Sequence, residues 1–291
     1  MRFETGVLVL LMLACVLRPG SGSAQTVNWQ AIDEAIGRSG TPQDGGVRRY
    51  GFPRSDLQVT ADGVAIRPAF ALGSWAAFLP TSRGRLVMGD LVLREAEIPA
   101  VMDALQSGGI EQTAIHHHIL NESPRILYTH IHAHGGGVAI ARTIRNALGK
   151  TGTPAPAPAG SPPALDLDTI AVGTALGHAG RANGGVYQVS VAGKDRVTMD
   201  GVDVPMSMGL ATVINFQPTG SRRAAITGDF VLTGSQVNPV IRALRKNGIV
   251  VTALHNHLLN EQPRQFFMHF WANDDAVRLA RGLREALDAM K

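Results

Sequence analysis

The chain has 291 residues, 45% of them hydrophobic, with a net charge of +4 at pH 7 and a single cysteine. That length suits two compact domains of ordinary size. The Lys and Arg residues are dispersed and aromatics make up only 5%, which argues against a nucleic-acid partner, since no basic stripe with stacking platforms is present.

From the N-terminus, Arg2, an apolar run over residues 7–17 and the small-residue stretch Gly20-Ser21-Gly22-Ser23-Ala24 predict a signal peptide over residues 1–24 and export to the periplasm or medium. The run is too short to span a bilayer as a mature helix, and no other stretch reaches eighteen apolar residues, so no transmembrane span is expected after signal removal. Leu13-Ala14-Cys15 loosely resembles a lipobox, but Met12 fits it poorly. Lipid anchoring through Cys15 is therefore the secondary expectation. Cleavage after Ala24 removes the cysteine, leaving no disulfide and no thiolate ligand.

Two lobes follow, over residues 28–149 and 164–291, joined by a Pro/Ala-rich linker over residues 150–163 whose prolines favour an extended chain. Residues 89–148 and 228–287 align at a constant shift of 139 with 26 identities in 60 positions. The chain is thus an internal duplication. Upstream, Gly45-Gly46-Val47 matches Gly184-Gly185-Val186, and Asp62-Gly63-Val64 matches Asp200-Gly201-Val202.

In each lobe a first helix precedes Asp62-Gly63 or Asp200-Gly201, set between alternating segments as in a tight hairpin. Strands are expected over residues 75–79 and 86–93, and over 213–216 and 224–232. Ile98, Val101, Met102 and Leu105 then recur at helical spacing, as do Val237, Val240, Ile241 and Leu244. A histidine hairpin and a closing helix complete each lobe. The fold class is α+β, two tandem repeated lobes, each an antiparallel sheet packed against helices.

Nine of the ten histidines lie in the two hairpins. Successive strand residues point to opposite faces, so His116 shares a face with His118, and His255 with His257. With turns centred near Ser123 and Gln262, His116 lies opposite His130 and His255 opposite His269, within reach across the ladder. Each lobe would then offer three imidazoles to one ion, the donor set of an open zinc site. Zinc is the expected cofactor and copper the alternative. The first lobe adds His132 and His134, where the second has Trp271 and Asn273, so its site is expected to be the fuller one. The other reading is hydrogen bonding within the sheet, or a polar cleft for a small molecule or cell-wall component.

Glu122 and Glu261, at the hairpin turns, are candidate general bases for a metal-bound water. Beside Asn121 and Asn260 they also suit a structural part, pairing with Arg125 or Arg264. Asp90 and Asp229 interrupt apolar strands and need partners, either a histidine or a backbone turn. Met199, Met206 and Met208 are read as core filling rather than copper ligands, because the first lobe lacks them. No Gly-x-Ser-x-Gly elbow is present, and nothing supports covalent hydrolase chemistry.

In Thr252-Ala253-Leu254-His255-Asn256-His257, Glu261-Gln262-Pro263-Arg264, Met268-His269-Phe270-Trp271 and the closing helix over residues 276–287, the chain resembles the LppY/LpqO family. The likeness spans both lobes. It implies an exported, duplicated α+β protein, in some members a lipoprotein, and it supplies no activity. His117, His132 and His134 depart from the pattern of the second lobe.

Overall fold

The computed structural model describes residues 1, 27–156, 161 and 163–291. The expected signal peptide, Cys15 and part of the linker lie outside the described residues.

The first lobe runs α1 (Trp29–Ile36), β1 (Thr41–Pro42), β2 (Arg48–Pro53), β3 (Val59–Ala61), β4 (Val64–Ile66), α2 (Pro68–Ala71), β5 (Gly73–Thr81), β6 (Gly84–Arg94), α3 (Ile98–Ser107), β7 (Glu111–His116), β8 (Glu122–Ser123), β9 (Ile126–Gly135) and α4 (Gly137–Leu148). The second repeats it: α5 (Thr169–Leu176), β10 (Arg181–Asn183), β11 (Val186–Val191), β12 (Thr198–Met199), β13 (Val202–Asp203), β14 (Thr212–Gly220), β15 (Arg223–Leu232), α6 (Gly234–Lys246), β16 (Val250–His255), β17 (Glu261–Gln262), β18 (Phe266–Asp275) and α7 (Ala276–Asp288). Two six-stranded antiparallel sheets result, β1-β2-β5-β6-β9-β7 and β10-β11-β14-β15-β18-β16, each with a three-stranded companion, β4-β3-β8 or β13-β12-β17. Repeated lobes of α+β type are what the periodicities predict.

Local chemistry repeats with the topology. Asn28 and Asp168 cap α1 and α5 by accepting the amides of Ala31 and Ala171. Both small-sheet hairpins turn on an Asp-Gly pair at positive φ, 46° and 79° in the first lobe and 50° and 77° in the second. That is the backbone a type I′ turn requires.

Strand alternation divides each main sheet into two buried faces. On β9, Ile131 and Ala133 join the core beneath the helices, with Val87, Leu91 and Leu93 of β6. Tyr128, His130, His132 and His134 therefore point to the opposite face. In the second lobe Met268, Phe270 and Ala272 face the helices, and Phe267, His269 and Trp271 point away. Those helix-free faces are covered by the small companion sheets and by the other lobe. Leu86 and Met88 pack with Val197, Val204, Leu258 and Phe267, while Trp271, Ala225 and Val186 pack with Val59, Phe70 and Tyr128.

Polar contacts run in the same sense. The Trp271 indole N–H donates to Asp62 at 2.8 Å, and Gln217 Nε2 donates to the Ala65 carbonyl at 2.7 Å. Thr113 Oγ1 donates to the His257 carbonyl and Thr252 Oγ1 to the His118 carbonyl, both at 2.6 Å, a matched pair across the lobes. Among the described residues no helix is long and apolar enough to cross a membrane.

Trp271 joins the lobes by packing edge-on against Phe70, 6.1 Å between ring centroids, and by its bond to Asp62, while only 5% exposed. Trp271→Ala is expected to lower unfolding free energy by about 3–5 kcal/mol, measured by urea denaturation. A loss below about 1 kcal/mol would show that this contact does not hold the lobes together.

Candidate metal centre between the lobes

β7 and β9 pair antiparallel with Ala114 opposite His130 and His116 opposite Tyr128; Ala253 likewise faces His269, and His255 faces Phe267. The expected direct opposition of His116 with His130, and of His255 with His269, is therefore corrected by two residues. The turns are not centred on Ser123 and Gln262 because Glu122 and Ser123 leave the hairpin to pair with β3, as Glu261 and Gln262 pair with β12. A bulge at Thr113, matched at Thr252, absorbs the remaining irregularity. The histidines still meet as diagonal neighbours, with the His116 and His130 rings 5.0 Å apart.

The larger difference from the expectation is that the lobes do not keep their histidines to themselves. The His116 and His255 rings stack at 3.5 Å across the interface, His118 lies 3.8 Å from His269, and His130 lies 3.8 Å from His257. Each x-His pair thus meets the return-strand histidine of the other repeat. Tyr128 stacks on His118 at 3.3 Å and Phe267 on His257 at 3.4 Å, closing the two ends.

Asp90 stands opposite His130 on β6, and Asp229 opposite His269 on β15. His118 Nε2 lies 3.7 Å from Asp90, and His257 Nε2 lies 3.3 Å from Asp229. Ligand atoms fall within 4.8 Å of one another in the sets His116/His118/His269, His116/His130/His255, Asp90/His118/His130 and Asp229/His255/His257. The first two sets draw on both lobes. The arrangement is one shared cluster in place of two independent triads.

His132 and His134 share the face but sit farther along β9, and neither joins these sets. His132 Nδ1–H donates to Glu111 at 2.9 Å, and His134 Nε2 is hydrogen-bonded to Thr81 Oγ1 at 2.9 Å. The first lobe's extra histidines therefore do not enlarge the cluster. Glu122 and Glu261 accept the amides of Ile126 and Gln265, each at 3.0 Å, and so brace the loops; Glu261 also lies 3.5 Å from Arg264. The three methionines differ in burial: Met199 and Met208 lie in the apolar core and Met206 packs against it.

Burial is the main cause of the site's electrostatics. It pushes His116 down to about 2 and His269 down to about 3, and neighbouring histidines add to the effect. His118, His130 and His257 are held well below the usual histidine value, and His255 is lowered, for the same first reason. Asp90 is pushed up to about 8, first by burial and then by the facing Asp229, with the Arg49 guanidinium opposing. Asp229 is also raised by burial, against the pull of His269. All six imidazoles are thus neutral at physiological pH, the state in which histidine ligates a metal.

The Nε2 atoms of all six histidines and one oxygen each of Asp90 and Asp229 are buried without a hydrogen-bond partner. Each such atom costs about 1–3 kcal/mol. The other side of three of the rings is tied down: Nδ1–H of His116 donates to the His117 carbonyl, that of His255 to the Asn256 carbonyl and that of His269 to the Gly228 carbonyl, at 3.1, 3.2 and 2.7 Å. These bonds select the tautomer with a free Nε2 lone pair, as in metal-binding histidines. The donor set of imidazole and carboxylate, without thiolate, fits a borderline ion such as zinc or copper(II).

Sequence reasoning did not find the stacking partners Tyr128 and Phe267, or Arg54, fully buried and paired with Glu97 at 2.9 Å. A signal for the shared site was nonetheless present. Leu86, Met88 and Val92 make the histidine-bearing side of β6 apolar too, which a solvent-facing sheet would not be.

Comparison with curated proteins finds no significant match. Among solved structures, the chain is 13% identical to the trimeric bacterial microcompartment shell protein PduB over 86% of this chain and 89% of that one, with a TM-score of 0.22. It is 12% identical to the double ringed trimeric shell protein MSM0271 from the RMM microcompartment, over 82% and 93%, with a TM-score of 0.19. Superposition at that level carries nothing about this fold. A family model, by contrast, matches residues 30–150 and again residues 170–289. The chain therefore belongs to the family described as Domain of Unknown Function (DUF1259), and carries that domain twice.

Proposed function

We propose that this is an exported metal-binding protein in which the two repeats together hold one zinc centre, His116, His118 and His130 from the first lobe and His255, His257 and His269 from the second. The observation that carries this reading is the convergence of six buried, unpartnered Nε2 atoms with the carboxylates of Asp90 and Asp229. An unfilled cluster of that kind is costly, and a bound cation takes three or four of its donors at once. Copper is the alternative ion, since imidazole suits both. The export component rests on the N-terminal sequence and on the resemblance to the LppY/LpqO family.

An ion with a position left open would activate water or polarise a carbonyl. Glu122 and Glu261 serve as bases in such a step only through their second oxygens, because the first oxygen of each is committed to a loop amide. The rival function, a non-catalytic module for a small molecule or cell-wall fragment, draws support from the polar cleft beside His132.

Protein purified without a histidine tag is expected to contain about one equivalent of zinc, or of copper, by elemental analysis. Because the cluster is shared, His116→Ala/His118→Ala and His255→Ala/His257→Ala should each weaken metal binding more than about 100-fold. Metal-free, fully folded protein after zinc supplementation would remove the proposal. Retention of a full equivalent at unchanged affinity in either double variant would show separate sites.

Zinc should also tighten the lobes, since its ligands come from both. At zinc concentrations about 100-fold above Kd, stability should rise by about 2.7 kcal/mol, read as a chelator-reversible increase in Tm. An unchanged Tm with metal demonstrably bound would place the ion away from the interface.

A further inference from the structure

The two repeats differ at one place where the difference leaves a space. At the shift of 139, His132 corresponds to Trp271, and at a shift of 138 Asp62-Gly63 corresponds to Asp200-Gly201. In the second lobe the Trp271 ring fills the gap to the opposite repeat and its indole N–H donates to Asp62 at 2.8 Å. In the first lobe the smaller His132 ring leaves a cleft of about 290 Å³ that reaches across to Asp200.

Glu111, His132, His134, Met199, Asp200 and Leu259 line the cleft, so both lobes build it. Asn260 and Thr113 also line it, the Thr113 hydroxyl donating to the His257 carbonyl, but the charged and unpartnered groups around His132 are acceptors. His132 gives Nδ1–H to Glu111, which turns its Nε2 into an acceptor, and that Nε2 is buried with no partner. The carboxylates of Glu111 and Asp200 add negative charge, while Arg83 reaches only the main-chain oxygen of Asp200, at 2.9 Å. Where Trp271 supplies its own N–H to Asp62 of the other lobe, the equivalent place at His132 presents Asp200 of the other lobe, Glu111 and a bare imidazole nitrogen.

We propose that this cleft binds a small organic amine in its cationic form, its nitrogen among His132 Nε2, Glu111 and Asp200 and its apolar body against Leu259 and Met199. Two carboxylates and an acceptor nitrogen match a donor-only cation. The volume lies near the lower end for small-molecule sites, too large for a bare ion. The inference does not depend on the metal centre, because neither His132 nor His134 belongs to that cluster.

The test is calorimetric titration of the full chain with benzylamine, cationic at neutral pH, and with benzyl alcohol, its neutral counterpart of the same shape. Benzylamine should bind at one site at least about tenfold more tightly, a difference that one charge-assisted contact supplies. Asp200→Asn and Glu111→Gln, both at exposed positions, should each weaken it by about tenfold. His132→Trp should abolish binding while raising Tm, by filling the cleft as Trp271 does in the other repeat. Equal or absent binding of the two probes overturns the proposal, as does unchanged affinity in Asp200→Asn. Loss of binding on adding EDTA overturns it too, by placing the amine on a bound metal.

Discussion

The structure depends on the burial of both faces of each main sheet. One face is covered by the helices of its own repeat, and the other by its own small sheet together with the opposite repeat. A single lobe would leave Leu86 and Met88 without their second-lobe partners, together with its histidines. At about 25 cal/mol per Å² of apolar surface, that exposure is reason enough for the repeats to close on each other. The duplication thus makes one protein out of two halves that are each unfinished.

The same closure creates the chemistry. Imidazoles on a solvent-facing strand would keep ordinary values and hydrogen-bond to water. Pressed between two sheets they lose water, their basicity falls, and their Nε2 atoms face one another and the two aspartates. The threonine bonds from Thr113 to the His257 carbonyl and from Thr252 to the His118 carbonyl hold the paired edges in register. Position and protonation therefore have a common origin in the lobe interface, while the tautomer is set by main-chain carbonyls within each repeat.

Two departures from symmetry lie where the ladder tolerates them. His132 in place of Trp271 and His134 in place of Asn273 lie toward the end of β9, outside the metal-ligand sets. One repeat uses that end for packing, with the indole in the apolar core, and the other leaves a polar cleft. A duplicated chain can in this way keep a common centre and still diverge at its rim.

Much of this was legible in the chain. The 139-residue shift, the Asp-Gly hairpins, the helical spacing of Val101 and Leu105 and the period-two pattern on β9 depend on neighbours close in sequence, so local rules sufficed for the repeated α+β lobes. The one-sided run of His130, His132 and His134 was also correctly read as a face. Its register with His116 was not, because Glu122 and Ser123 exchange their hairpin partner for β3, a contact from some sixty residues away. The grouping of histidines was beyond local reasoning for a similar cause: which imidazole meets which is decided by how two sheets dock, and docking responds to summed apolar area and shape. The residues by themselves determined a twice-repeated domain and the histidine faces it carries. Only the tertiary structure decided that those faces turn toward each other, since burying them together removes more apolar surface from water than either lobe can alone.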